Sequence, residues 1–291
     1  IRDDLVTGVQ TCALPICTFL ELPNGIPFHD TFWRVFSALD PQQFQDCFLQ
    51  WMTAISDISS GEIIALDGKQ LRRSHDKSNG KAAIYMVSAW ATSNGLVLGQ
   101  VKVDEKSNEI KAIPELLRRL DLQGCLVTID AMGCQVDIAE LIVEKKGDYL
   151  FSLKGNQSNL HEDVSLLFDD LEASGFSAYV HDYHKTVDKD HGRIEVRHCW
   201  TISDPQLIQH LRGADRFANL QTLVRVRSER YLGDDHSVEE RHYIGSATTQ
   251  AAEALRATRI HWQVENSLHW VLDIAFREDE SRLRKGNGPQ N

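Results

Sequence analysis

Two short apolar runs that each end on an aspartate constrain this chain more than any other feature. Ile63-Ile64-Ala65-Leu66 leads into Asp67, and Leu126-Val127-Thr128-Ile129 leads into Asp130. Short continuous apolar runs of this kind read as strands buried on both faces. In open α/β sheets, ligands gather beyond the carboxyl ends of such strands. Gly68 follows the first aspartate directly, and Gly133 lies three residues past the second. Either aspartate alone reads equally well as an ordinary loop cap. Two of them on one central sheet are less easily dismissed.

The surrounding pattern supports such a sheet. Ala83 to Ala91 and Leu96 to Val103 read as strands joined by the turn Thr92-Ser93-Asn94-Gly95. Ile110 to Leu120 is helical, with Ile113, Leu116, Leu117 and Leu120 on one side. Val136 to Lys146 is a helix closed by Gly147, Tyr149 to Leu153 a strand, and Leu160 to Leu171 a helix. Three strands followed by alternating helices and strands predict an α/β fold: a ribonuclease-H-like mixed sheet with flanking helices. From about Gly175 to Gly245 the pattern turns β-rich. Ala251 to about Ala275 has no Gly or Pro and predicts one long helix.

At the other end, Asp30 to Ile55 forms a small helical lead-in. Thr31 is placed to cap one helix, and Pro41 opens a second. Val6 to Ile16 reads as a translated sequencing adapter and is set aside. The expected division is therefore an adapter scar at 1–16 and a truncated helical region at 17–60. A first part of the catalytic core follows at 61–174, a β-rich insertion at 175–250, and a truncated second part of the core at 251–291. Both ends of the chain are expected to be incomplete.

Composition narrows the function classes. Lys and Arg number 31 against 42 Asp and Glu, a net charge of −11. That excludes a uniformly basic nucleic-acid coat, because phosphate neutralisation needs clustered cations. No apolar stretch of about 18 residues suits a membrane span. The six cysteines form no C-x-x-C pair, so a reducing, cytoplasmic setting is expected, with Cys125 and Cys134 as core fillers.

A metal site built on the two aspartates would need a third carboxylate. Glu265 is the best candidate, lying mid-helix in His261-Trp262-Gln263-Val264-Glu265-Asn266-Ser267-Leu268-His269-Trp270. His261 and His269 stand four residues before and after it, so all three share one face. The bland alternative is a solvated Glu with two neutral His neighbours. Three carboxylates suit hard divalent cations, and two such ions can clamp both oxygens of an in-line phosphoryl displacement. A zinc site is not supported, since the segment lacks H-E-x-x-H.

Five segments in order carry a family resemblance. They are Leu66-Asp67-Gly68-Lys69, Lys102 to Glu109 (KVDEKSNE), Thr128 to Gln135 (TIDAMGCQ), Leu153-Lys154-Gly155-Asn156-Gln157 and Glu265-Asn266-Ser267-Leu268-His269-Trp270. Together they resemble the bacterial insertion-sequence DDE transposases, in the branch of the H-repeat-associated (ISAs-type) proteins, over about residues 18 to 291. The resemblance implies that Asp67, Asp130 and Glu265 are the catalytic, metal-binding triad. It implies two Mg²⁺ ions, with Mn²⁺ as a substitute, cleavage of DNA at insertion-sequence terminal repeats, and strand transfer into target DNA. It also implies a dimer, and a place in the bacterial cytoplasm at the nucleoid. The gap between Asp130 and Glu265 is roughly twice that between the aspartates and holds the β-rich stretch, as an insertion would. Many relatives with an insertion carry Tyr-x2-Arg-x3-Glu-x6-Lys around the glutamate. Here those places hold Thr258, His261, Glu265 and Leu272, so only the glutamate transfers. A protonated His261 is a candidate substitute for the Arg as a phosphate contact.

Candidate DNA contacts complete the expectation. Lys69, Arg72 and Arg73 follow the first aspartate, Lys154 and Asn156 follow a strand, and Arg282 and Lys285 follow the glutamate helix. His191 and Arg193 lie in the β-rich stretch; Trp262, His261 and His269 lie beside Glu265. Each basic segment reads equally as a solvated loop, and helix tryptophans are more often core than stacking platforms. Two other activities share the same residues: a nuclease without strand transfer, and an inactive remnant that only binds DNA.

Overall fold

A computed structural model describes residues 21, 23, 25–55, 61–75, 83–103, 109–177, 179–190, 192–281, 286–288 and 291. Contacts divide the chain into two units, Ile1–Phe44 with Leu283–Asn291, and Gln45–Arg282. The first holds helix α1 (His29–Ala38) and the start of α2 (Pro41–Ile55). Phe36 and Phe44 pack edge to face within it, with ring centroids 5.6 Å apart. Thr31 does not cap α1. The helix starts two residues earlier, after an extended Phe28 that makes no side-chain cap. Asp30 instead brings negative charge to its first turn.

The second unit is built on β1 (Ile63–Gln70), β2 (Tyr85–Ala91), β3 (Leu96–Val103), β4 (Leu126–Ile129) and β5 (Asp148–Leu153). Helices α3 (Glu109–Arg119), α4 (Val136–Glu144) and α5 (Ser158–Ala173) pack on one face. Ile64, Leu66, Val127 and Ile129 point into that layer and are essentially inaccessible to solvent. Each such side chain contributes roughly 1.5–3 kcal/mol on burial. Ile63 and Ala65 alternate to the opposite face, as strand geometry requires. The buried thiols of Cys125, Cys134 and Cys199 fill core positions, and burial pushes their pKa values up to about 11, 12 and 12.

The turn after α4 differs in detail from expectation. Lys146, not Gly147, takes the left-handed conformation, with φ 62°. Gly147 is required for another reason: a Cβ there would stand 2.9 Å from the Leu122 carbonyl oxygen.

The β-rich stretch forms β6 (Asp182–Asp190), β7 (Arg193–Ile202), β8 (Thr222–Leu232) and β9 (Asp235–Gly245). These strands continue the same sheet. The order is β3-β2-β1-β4-β5-β9-β8-β7-β6, nine strands in all. The seam is β5 against β9, antiparallel, from Leu150↔Gly245 to Leu153↔His242. Beyond it β6 to β9 run on as an antiparallel arm. Arg225 on β8 pins the arm to α5. It is fully buried, its guanidinium carbon lies 4.7 Å from the Trp200 ring centroid, and its Nη2 donates to Glu172 Oε2 at 3.0 Å.

The last helical region departs from expectation. Helix α6 (Ala251–His261) gives way to a π-helical stretch, Val264–His269, before α7 (Trp270–Ile274). No Gly or Pro forces this change, so tertiary contacts impose it; π segments often mark functional sites. Among the described residues no helix is long and apolar enough to cross a membrane.

Candidate active site

Strand register sets the first two carboxylates. β1 and β4 run parallel, with Leu66 paired to Ile129. Asp67 and Asp130 are the next residues on each chain, so they lie side by side where the pairing ends. Asp67 is not at the end of its own strand, as the sequence suggested. β1 continues to Gln70 because β2 keeps pairing with it, Asp67 opposite Ser88 and Gln70 opposite Tyr85. Asp130 opens the loop after β4, and its Oδ1 accepts the N–H groups of Met132 at 3.0 Å and Gly133 at 3.3 Å. Gly133 lets this loop fold back on the strand: a Cβ there would come within 2.2 Å of Ile129 Cγ2. Asn156 braces the same loop, donating from Nδ2 to the Ala131 carbonyl at 2.6 Å.

The π stretch supplies the third. Val264 and Leu268 are buried against Ala65 and Trp90, which turns Glu265 toward the strand ends. Asp67, Asp130 and Glu265 line one pocket of about 100 Å³, with Thr128, Lys154, Thr258, His261 and Trp262. Their donors are hard carboxylate oxygens, the chemistry a divalent cation such as Mg²⁺ selects. Among the described residues no three His, Cys, Asp or Glu side chains stand close enough to enclose a metal ion.

The flanking histidines have defined partners. His261 Nδ1 lies 3.0 Å from Thr128 Oγ1, on β4. His269 Nδ1 lies 3.4 Å from Asp67 Oδ2. Burial pushes the His261 pKa down to about 4, against a smaller upward pull from Asp130. That direction favours the uncharged ring at neutral pH. Burial, with the nearby Lys69 charge, also holds His269 below its ordinary value.

The remaining candidates scatter. Lys69 lies on the Asp67 face of β1 but is engaged elsewhere: its Nζ contacts Asp273 Oδ1 at 2.5 Å and also Glu278. Burial alone would lower that ammonium, but hydrogen bonds to the two carboxylates carry it above its ordinary value. Arg72 is exposed and paired with Asp279 at 3.3 Å; Arg73 is exposed. Lys154 is exposed at the pocket. Arg193 pairs with Glu195 at 3.0 Å at the free tip of the arm, beside the β6–β7 turn. Trp262 is half-exposed, with the Arg241 guanidinium 4.6 Å from its ring centroid. His191, Arg282 and Lys285 lie outside the described residues.

One feature escaped the sequence. Between the arm and α6 runs a trough of about 830 Å³, whose lining includes Arg197, Arg230, Arg241, Arg256 and Arg259. Arg241, Tyr243, Thr258 and Trp262 line both it and the carboxylate pocket. The only local signal was Arg256 and Arg259, three apart on one helix.

Comparison with known proteins shows the family. Residues 58–291 match the family model described as Transposase DDE domain, and residues 13–52 match the one described as DDE_Tnp_1-associated. The chain is 46% identical over 274 residues to "Putative transposase YncI" of Escherichia coli O157:H7, covering 93% of this chain and 69% of that protein. It is 41% identical over 274 residues to "H repeat-associated putative transposase YhhI" of Escherichia coli (strain K12), covering 93% and 71%. It is likewise 41% identical over 274 residues to "Putative protein YbfL" of that strain, covering 93% and 71%.

Proposed function

The chain belongs to the DDE transposase family, an enzyme family that acts on DNA and generally uses divalent metal ions; from that premise we propose that Asp67, Asp130 and Glu265 are its catalytic triad. The observation that carries the reading is the β1–β4 register, which sets the two aspartates side by side, with Glu265 on the same pocket.

As placed, the three carboxylates stand too far apart to enclose an ion together; they would hold two Mg²⁺ ions, or Mn²⁺ in their place, once the exposed Glu265 side chain turns in toward the aspartates. Metal bound there would supply activation of an attacking water or 3′-hydroxyl and would offset charge on the leaving oxygen of an in-line displacement. The chain's own contribution is placement. The loop hydrogen bonds hold the Asp130 carboxylate at the strand end, and the π stretch carries Glu265 to the same pocket. Lys154 brings a cation to the pocket for a scissile phosphate. The arginines of the trough lead a DNA backbone to that point, and the Arg241-backed Trp262 stands where the two spaces join.

The core is placed at 61–174 and from 251 onward, with 175–250 as an insertion whose strands extend the core sheet; Leu283–Asn291 groups instead with Ile1–Phe44. The reaction is cleavage at insertion-sequence ends followed by strand transfer. Synapsis of two ends calls for two copies of the chain, so we place it as a dimer at the bacterial nucleoid.

The test is a reaction of the full chain with Mg²⁺ and labelled DNA carrying the terminal repeats that flank its gene. End cleavage and joining to a second DNA are expected, and both should vanish in Asp67→Asn. Cleavage without joined product would replace the transposition reading with a nuclease. Unchanged cleavage in Asp67→Asn would overturn the triad.

A further inference from the structure

The two histidines around Glu265 are each tied to a different aspartate-bearing strand. His261, four residues before the glutamate, meets Thr128 Oγ1 at 3.0 Å. Thr128 is buried on β4, two residues before Asp130 and on the same face. His269, four residues after the glutamate, meets Asp67 Oδ2 at 3.4 Å. The carrier of Glu265 is thus fastened to β4 at one end and to β1 at the other.

The β1 fastening is the more enclosed. The His269 side chain is 12% exposed, and its Nε2 is buried with no hydrogen-bond partner. Nδ1 faces the Asp67 carboxylate, while Nε2 faces the interior without a partner. The polar side of the ring is thus the Nδ1 side, which stands 3.4 Å from the Asp67 carboxylate. Behind it Lys69, two residues past Asp67, ties Asp273 and Glu278 down to the same strand. Glu265 itself is exposed, with three rotatable bonds and no packing of its own to choose a position. Its location relative to Asp67 and Asp130 rests on the backbone that bears it.

We infer that His261 and His269 are positioning residues, which set the spacing of Glu265 from the two aspartates and thereby the metal affinity of the triad. The inference rests on the triad reading above. Neither ring is a ligand in it. Each acts through a neighbour, as partners one layer out from a metal do when they orient the groups that bind it.

Both contacts use Nδ1, which gives a sharp test. Asn places a polar nitrogen near the Nδ1 position; Gln carries its amide out to where Nε2 lies. Mn²⁺ binding to the full chain without DNA is followed by the electron paramagnetic resonance signal of the free ion, with thermal unfolding in parallel. His261→Gln and His269→Gln are expected to weaken Mn²⁺ binding about 10–100-fold, while His261→Asn and His269→Asn stay within about threefold of the parent. Melting temperatures of the Gln and Asn variants should match, which separates positioning from folding. Gln variants that bind Mn²⁺ like the parent, while Asp130→Asn abolishes binding, would overturn the inference and leave the triad standing. Binding unchanged in Asp130→Asn would overturn the triad, and the inference with it.

Discussion

The two halves of the sheet are held together by different forces. From β1 to β5 the strands are short and apolar; β4 is four residues long and its last three are buried. From β6 to β9 they reach eleven residues and carry charge along their length. There Arg197 pairs with Asp188 at 2.6 Å, Arg259 with Asp188 at 3.2 Å, and Arg241 with Glu239 at 2.8 Å. The contrast explains where chemistry is lodged. Apolar burial makes the first half secure enough to carry the proposed metal-binding carboxylates. The second half presents cations that their own acidic neighbours neutralise until a polyanion competes. The overall charge of −11 therefore says little about the local field a DNA would meet.

That contrast yields a ranked set of expectations. The largest is chemical and confined to the first half. Asp130→Asn and Glu265→Gln should each lower end cleavage by about 10³-fold or more, an activation cost of roughly 4 kcal/mol. Both residues are exposed, so denaturant midpoints should not move; a matching loss of stability would mean the carboxylates are structural.

Next comes Arg225→Ala in the arm. It removes a fully buried side chain from between Trp200 and Phe168 and should cost about 2–4 kcal/mol in urea unfolding. Hydrogen exchange should rise first in β6 to β9. Uniform loosening of β1 to β5 would erase the distinction between the halves.

The seam between them is sensitive to acid. His242 pairs with Leu153 across β5 and β9, and burial, then His161 and Arg225, push its pKa down to about 4. A depressed histidine keeps its full stabilising effect above its unfolded value near 6.5, and loses it as pH falls toward 4. Stability should drop by on the order of 2–3 kcal/mol over that window. His242→Leu should flatten part of the drop, read from melting curves at pH 7, 5.5 and 4.5; an unchanged slope would remove the seam from the account.

The smallest effect is in the trough. Arg256→Ser and Arg259→Ser should each weaken DNA binding by about 3–10-fold and reduce the salt slope by about one. Arg193→Ser at the arm tip serves as the comparison and should change binding less.

How much of this could be read from the chain follows from the same forces. Apolar runs define β3 and β4 to the residue, because local hydrophobic pattern and burial agree there. The candidates Asp67 and Asp130 were legible because each directly follows a short apolar run. The continuation of β1 past Asp67 was not, since it depends on pairing with β2. Nor was the π stretch, in which contacts of Val264, Leu268 and the two histidines outweigh a good helical sequence. Lys69 looked like a free cation because its partners, Asp273 and Glu278, lie some two hundred residues on. The trough arginines were missed for a similar reason: they come from separate strands and a helix, and no window of sequence contains them.

The continuity of the sheet has one more consequence. The arm shares the rungs from Leu150↔Gly245 to Leu153↔His242 with the core, so it has no hinge there on which to swing. Successive strands rotate by roughly 20–25°, so the surface turns by about a right angle between β5 and β6. A duplex lying in the trough would meet a fixed ramp rather than a closing jaw. The offset between its gripped and cut phosphates would then be measured out by the protein like marks on a ruler.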